Sequence, residues 1–401
     1  MNLLRVYSND DPNIPSCSNT VTLAAFDLNT SGDTNFSPDL FEEMNMSINV
    51  VNHLQPILGD YYLVARAVRG LNNGTDQLVE WMKFSGGQLA HSLDAASIPV
   101  TWDGVLTENN LPASVGPDTF MGVNANGQPS VLNRQLPSAL IGETVPLPFF
   151  DVLVTLWYRR EPGSLAMPIK MIRHRVHVPQ VVFVTFQSPA DEQYGRAVYD
   201  DEGLVCIWPW EPMIGVGDII EYMQERYPKG MNVRYVNGDD TPDALRSHSG
   251  NVKNVYIVSE APDSNLEENW GYAMNGADGN RNRSGIAFIN LNSIFSSMKE
   301  EYDKKRAKDI PHYDAMYNYP DTNNGLGFSS IHETTHLFGV VSSTYLGGIR
   351  SHNPPSNNVY YMNSGGNLSL NVRLGKAPVT FKPLNAAYLV FILPKPSEGE
   401  D

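Results

Sequence analysis

Apolar and polar positions alternate with a period of two through the first part of the chain, the signature of half-buried strands. Residues 21–26, 60–68 and 150–158 have strand composition, and 171–178 sets Met171, Arg173 and Arg175 against Ile172, His174 and Val176. The turn signals Asn72-Asn73-Gly74 and Gly86-Gly87 separate such runs. One segment, 38–54, reads as a helix. The pattern predicts a β-rich accessory region over 1–178, all-β and sandwich-like, of one or two modules in the manner of immunoglobulin domains.

Past about residue 179 the rhythm changes. Segments 181–186, 204–208, 232–236, 255–259 and 286–291 read as strands. Segment 216–227 has helical spacing, with Ile219, Ile220 and Met223 on one face, and 294–308 is a helix with a charged side. Strands alternating with helices predict an α/β or α+β domain over 179–401.

The stretch Ser329-Ser330-Ile331-His332-Glu333-Thr334-Thr335-His336-Leu337-Phe338-Gly339 carries the chemistry. It contains H-E-x-x-H. On an α-helix a spacing of four stacks His332 and His336 on one face, one turn apart. Two imidazoles so placed can share one Zn²⁺, with Glu333 placed as general base. A competing reading is a capping box, Ser330-x-x-Glu333, at a helix start. It accounts for Glu333 and for neither histidine.

Zinc sites of this type need a third protein ligand. After His336 the next carboxylate is Glu398, in the extreme tail, and the one remaining histidine is His352. Elimination points the third ligand to His352.

With these residues in place, His332-Glu333-x-x-His336-x-x-Gly339 followed by Met362 resembles the metzincin metallopeptidases, whose pattern is H-E-x-x-H-x-x-G-x-x-H and then a Met-turn. The third histidine of that pattern would fall at Ser342, so the resemblance implies an insertion over 340–351 before His352. It implies that Gly339 lets the chain leave the helix sharply, and that Met362 forms an apolar floor beneath the metal. It also implies an α+β catalytic domain with a twisted mixed sheet and an active-site helix. There an antiparallel edge strand containing Gly271, Tyr272 and Ala273 takes substrate main chain by strand addition. The last strand would lie near 284–291.

The resemblance implies a zinc-dependent endopeptidase in which His332, His336 and His352 hold the metal. Glu333 then takes a proton from the attacking water and passes it to the leaving amine. Tyr345, Tyr360 and Tyr361 are candidates for an oxyanion donor. The partner is a protein or peptide substrate, with the N-terminal β region binding a surface or the substrate. Two alternatives stay open: a non-catalytic binding or adhesion protein that keeps a zincin fold, and a zinc hydrolase acting on another amide.

Composition narrows the partners. The 401 residues carry 28 Lys plus Arg against 44 Asp plus Glu, a formal net charge of −16. Nucleic acid requires a basic face, and no basic cluster larger than Lys304-Lys305-Arg306 occurs, so nucleic acid is not expected. No apolar run reaches the length of a membrane span. Two cysteines, Cys17 and Cys206, exclude a disulfide framework and a thiolate zinc cluster. The 32 Gly and 28 Pro fit a turn-rich, secreted or cell-surface protein, although residues 1–5 begin no apolar leader. Finally, 27–33 places oxygen side chains at loop positions 1, 3, 5 and 7 with Gly32 at 6, which adds Ca²⁺ as a second cation candidate. Pro38 occupies the position that needs a carboxylate, and a polar turn is the plainer reading.

Overall fold

Among the described residues, ten strands build the N-terminal part: β1 (Phe26–Gly32), β2 (Met44–Asn52), β3 (Asp60–Gly70), β4 (Leu78–Ser85), β5 (Gln88–Ala90), β6 (Ala95–Trp102), β7 (Met121–Val123), β8 (Pro129–Val131), β9 (Phe149–Arg159) and β10 (Met167–His177). They come from a computed structural model that describes residues 26–53, 57–70, 78–85, 88–106, 121–123, 129–131, 141–145, 148–164, 166–188, 197–200, 203–207, 215–240, 251–259, 269–274, 278–280, 282–306, 319–340, 352–354 and 356–396. Strands β1-β2-β6 form one antiparallel sheet, and β10-β9-β3-β4, with β5 on β3, form a second. Leu28, Met46, Ile48 and Val50 of the first sheet share a core with Leu63, Ala65, Val152 and Val154 of the second. Two sheets thus face one another across an apolar layer.

Two expectations fail in this region. Segment 38–54 is not a helix: Pro38–Leu40 is a short 3-10 turn and Met44–Asn52 is a strand. Met44, Met46, Ile48 and Val50 are all buried, a period of two rather than 3.6. The supposed calcium loop is also a strand. Phe26 and Leu28 point inward while Asp27 and Asn29 point out to pair with His53 and Asn49 across the sheet. Neither a polar turn nor a Ca²⁺ site describes it.

The second part contains β11 (Gln180–Phe186), the hairpin β12 (Ala197–Asp200) and β13 (Gly203–Ile207), β14 (Val233–Asn237), β15 (Val252–Val258), β16 (Gly271–Met274) and β17 (Gly285–Asn290). Its helices are α1 (Val216–Arg226), α2 (Leu291–Arg306), α3 (Tyr319–Leu337), α4 (Leu370–Arg373) and α5 (Pro383–Ile392). The sheet order is β14-β11-β15-β17-β16, parallel except for the antiparallel edge strand β16. The chain is therefore a mixed α/β protein with most of its order in sheets. Cys206 lies in β13, and Cys17 lies outside the described residues.

Both faces of this sheet are covered, as parallel strands require. Val182, Val184, Ile257 and Ile289 pack beneath helices α1 and α3 in the larger core. Val181, Phe183 and Val252 face the other way, and Leu40 of the N-terminal part packs on them. Polar contacts join the same surfaces: Arg234 pairs with Glu42, and Asn251 Nδ2 donates to Thr144 Oγ1 at 3.1 Å.

No helix among the described residues is long and apolar enough to cross a membrane.

Candidate metal centre

Helix α3 runs through the whole H-E-x-x-H segment, so Ser330 is mid-helix and no capping box exists there. The turn that carries His332 is braced from α1. The hydroxyl of Tyr227, just past the end of α1, donates to the Ile331 carbonyl at 3.1 Å and lies 2.9 Å from Thr335 Oγ1, which reaches the same carbonyl at 2.6 Å.

The helix stops where the sequence predicts a sharp exit. Gly339 has φ +79°, a left-handed conformation that favours glycine. Its N–H donates to His336 O and the Val340 N–H donates to Thr335 O, the paired bonds of a Schellman end. Below this end lies Lys253 of β15, fully buried. Its ammonium donates to the Leu337 carbonyl at 2.9 Å and to the Asn282 carbonyl at 2.8 Å. A cation at a helix C-terminus meets the carbonyls left over there. Burial holds its pKa down to about 7.

His352 stands 20 residues beyond His332, and its return to the helix is fixed by main-chain bonds. The Asn353 N–H donates to Met362 O at 2.8 Å, and the Asn363 N–H closes a tight turn on Tyr360 O at 3.1 Å. Asn363 Nδ2 braces the turn by donating to Asn358 O at 2.9 Å. Met362, in this turn, is completely buried.

The result is a cluster of three imidazoles. His332 Nε2 lies 3.2 Å from His352 Nε2 and 3.2 Å from His336 Nε2. His332 Nδ1 lies 2.5 Å from the Tyr361 carbonyl. A carbonyl only accepts, so Nδ1 carries the hydrogen and Nε2 turns its lone pair toward the other two rings. This outer contact fixes a tautomer suited to a ligand. Burial, reinforced by the neighbouring His352 ring, pushes the His332 pKa down to about 4. Burial likewise drives His336 well below the usual histidine range. Where His336 and His352 also turn bare nitrogens toward it, a cation among the three rings relieves the repulsion of their lone pairs. Among the described residues, His332, His336 and His352 are the group that could hold a metal ion.

Glu333 is buried beside this cluster, and burial raises its pKa to about 8. Its side chain lies against Gly271, the first residue of the edge strand. Strand β16 thus brings Gly271 next to Glu333, and Tyr272 and Ala273 continue along the same edge.

The tyrosine candidates separate. The Tyr361 ring is packed between Phe328 and Phe381, with centroids 5.5 and 5.0 Å away, and the residue serves the cluster through its carbonyl. That makes it a core residue rather than an oxyanion donor. The Tyr360 hydroxyl accepts from Asn358 Nδ2 at 3.1 Å. Tyr345 and most of the proposed insertion lie outside the described residues. The Tyr361 carbonyl, Tyr227 and Lys253 are contributors that sequence reasoning missed. A main-chain acceptor leaves no mark on residue type, whereas a lone lysine in the apolar run of β15 was a visible anomaly.

No family model matches the chain, and no curated protein matches it. The similar solved structures are remote. A β-glucosidase from Listeria innocua in complex with isofagomine is 11% identical, covering 38% of this chain and 16% of its own, with a TM-score of 0.20. The sporulation control protein Spo0M from Bacillus subtilis is 13% identical over 53% of this chain and 59% of its own, with a TM-score of 0.18. A family 123 glycoside hydrolase from Clostridium perfringens is 8% identical over 43% and 32%, with a TM-score of 0.18. The chain thus spans a small part of the β-glucosidase it matches, and likeness at these scores carries neither fold nor function.

Proposed function

We propose that this protein is a zinc-dependent endopeptidase with a metzincin-like catalytic domain, in which Glu333 acts as general base. The observation that carries the reading is the convergence of three imidazoles, from two separate segments, beside a buried glutamate and the edge strand of the described sheet. Three nitrogen donors suit Zn²⁺, which takes three protein ligands in catalytic sites and leaves a fourth position open. His332, His336 and His352 would hold it. When bound, the ion supplies Lewis acidity, polarising a carbonyl and acidifying water.

The chain's own residues do the rest. The His332 ring is held in its tautomer by the Tyr361 carbonyl. Glu333, made more basic by burial, accepts the proton of the attacking water and returns it to the leaving amine. The side of β16 away from β17 takes an extended peptide through main-chain hydrogen bonds, which places a peptide bond within reach of Glu333. A peptide substrate and a secreted or cell-surface setting belong to the same proposal.

The test is casein cleavage by the zinc-loaded wild type and by Glu333→Ala. Glu333-dependent cleavage is expected. Zinc bound with no such cleavage on any protein tested would instead favour a binding protein that keeps the metal group without turnover.

A further inference from the structure

We propose that Gly271 is a positioning residue: the space its side chain would fill is the seat of the Glu333 arm, so the base rests directly on the edge strand. A Cβ built at 271 would lie 2.8 Å from Glu333 Cγ, 3.2 Å from Glu333 Oε1 and 2.9 Å from the Phe288 carbonyl oxygen. The first and last of these are closer than real Cβ atoms come. Any other residue here must push the glutamate aside and also ease the strand off the Phe288 carbonyl.

The strand is the stiffer of the two. Gly271 pairs with Ile289 of β17, and the Asn290 N–H donates to the Trp270 carbonyl at 2.8 Å just before it. Trp270 is itself buried, and its indole N–H donates to Ser297 Oγ at 2.8 Å. The backbone of Glu333 is equally fixed, because the Tyr227 and Thr335 hydroxyls clamp the preceding turn of α3. What remains free to swing is the Glu333 side chain. A methyl group at 271 therefore displaces the carboxylate, and the strain that remains falls on the Phe288 carbonyl contact rather than on the three histidines.

The same register explains why this contact bears on substrate. Main-chain groups of an antiparallel strand alternate between its two sides. Because the Trp270 carbonyl points inward to β17, the N–H and C=O of Gly271 and Ala273 face away from β17. The base is thereby seated beside the outward-facing backbone unit at 271. This consequence for rate rests on the peptidase reading; the contact itself does not.

The experiment is a double-mutant cycle of Gly271→Ala and Glu333→Ala in the full chain, read by thermal unfolding, zinc content and peptide hydrolysis. Gly271→Ala should keep one zinc and an unchanged KM while kcat falls about 100-fold, as for an angstrom-scale misplacement of a catalytic group. It should also lower Tm, and at least half of that loss should disappear in the Glu333→Ala background. An equal Tm loss in both backgrounds, or an unchanged kcat, overturns the assignment. If Gly271→Ala does not fold, folding of the double variant supports it, and failure of the double variant to fold overturns it by assigning the clash to Phe288. An inactive wild type would defeat the peptidase reading, and the Tm coupling would still decide the contact.

Discussion

His174 of the N-terminal sheets and His332 of the second part are buried to nearly the same degree, 8% and 7% exposed, yet their rings meet opposite surroundings. His174 Nε2–H donates to the Asp33 carbonyl at 2.8 Å, and Nδ1 accepts from Thr30 Oγ1 at 3.1 Å. Both nitrogens are satisfied by the protein. His332 satisfies only Nδ1 in this way and turns Nε2 toward two more imidazoles. The carboxylates repeat the contrast. Asp60 of the N-terminal sheets is met by Arg159 at 2.6 Å and Gln88 at 2.9 Å, and the Arg159 guanidinium holds its carboxyl below the usual range. Glu333 is pushed the other way, by burial. Polar groups that complete one another hold a fold together. Polar groups whose needs point to one shared, cation-sized place are organised for something the chain does not itself supply.

The largest effect that sharpens this contrast is on catalysis. Glu333→Ala should lower kcat by about 10²–10⁴-fold, the range for loss of a general base, with zinc content unchanged in a metal assay. Its counterpart Asp60→Asn should leave kcat untouched and appear only in thermal unfolding.

Metal removal comes next. Chelation should lower stability by about 4 kcal/mol when the free ion had been present at a thousand times its Kd. The loss belongs to the histidine group alone. The same chelator should therefore shift a Glu333→Ala variant and leave a His332→Ala variant nearly still, which calorimetry would show.

Lys253 gives a prediction in pH. In the fold burial holds it at about 7, against an ordinary value of 10.5. Between those values the unfolded chain binds more protons, so the lysine's contribution makes stability rise as pH rises from about 7 toward 10.5. Below 7 both states are protonated and the penalty of burying the charge is fully present. Lys253→Met should flatten that rise by as much as a few kcal/mol, measured by denaturant unfolding at several pH values.

Smaller effects follow. His174→Ala should cost about 1–3 kcal/mol, the penalty for orphaning buried partners, with no change in zinc affinity. Gly339→Ala should cost about 1 kcal/mol for the left-handed backbone and weaken zinc modestly through the exit of α3.

The sequence made the second part of the chain more legible than the first. Strands β11, β14, β15 and β17 and helices α1 and α2 lie within a few residues of where their patterns put them, because long apolar runs and helical spacing state their period plainly. His332, Glu333 and His336 follow from fixed spacing on one helix, and the shortage of downstream carboxylates pointed to His352 across a gap. Segment 38–54 misled for a physical reason. Its methionines and asparagines have weak preferences, so the period of two at Met44, Met46, Ile48 and Val50 was masked by a plausible helical start at Pro38. Asp27–Gly32 misled because outward-facing oxygens on a strand have the same spacing as ligands in a cation loop. The Tyr361 carbonyl and the contact of Gly271 with Glu333 depend on main-chain position and on a missing atom, neither of which a string of residue types displays.

The most direct measurement is zinc stoichiometry and affinity for the wild type and His352→Ala, by competition titration of the purified full chain. One zinc per wild-type chain and loss of most of the affinity in His352→Ala is the predicted result. A wild type that binds no zinc, or a His352→Ala variant that keeps full affinity, would contradict the three-histidine centre.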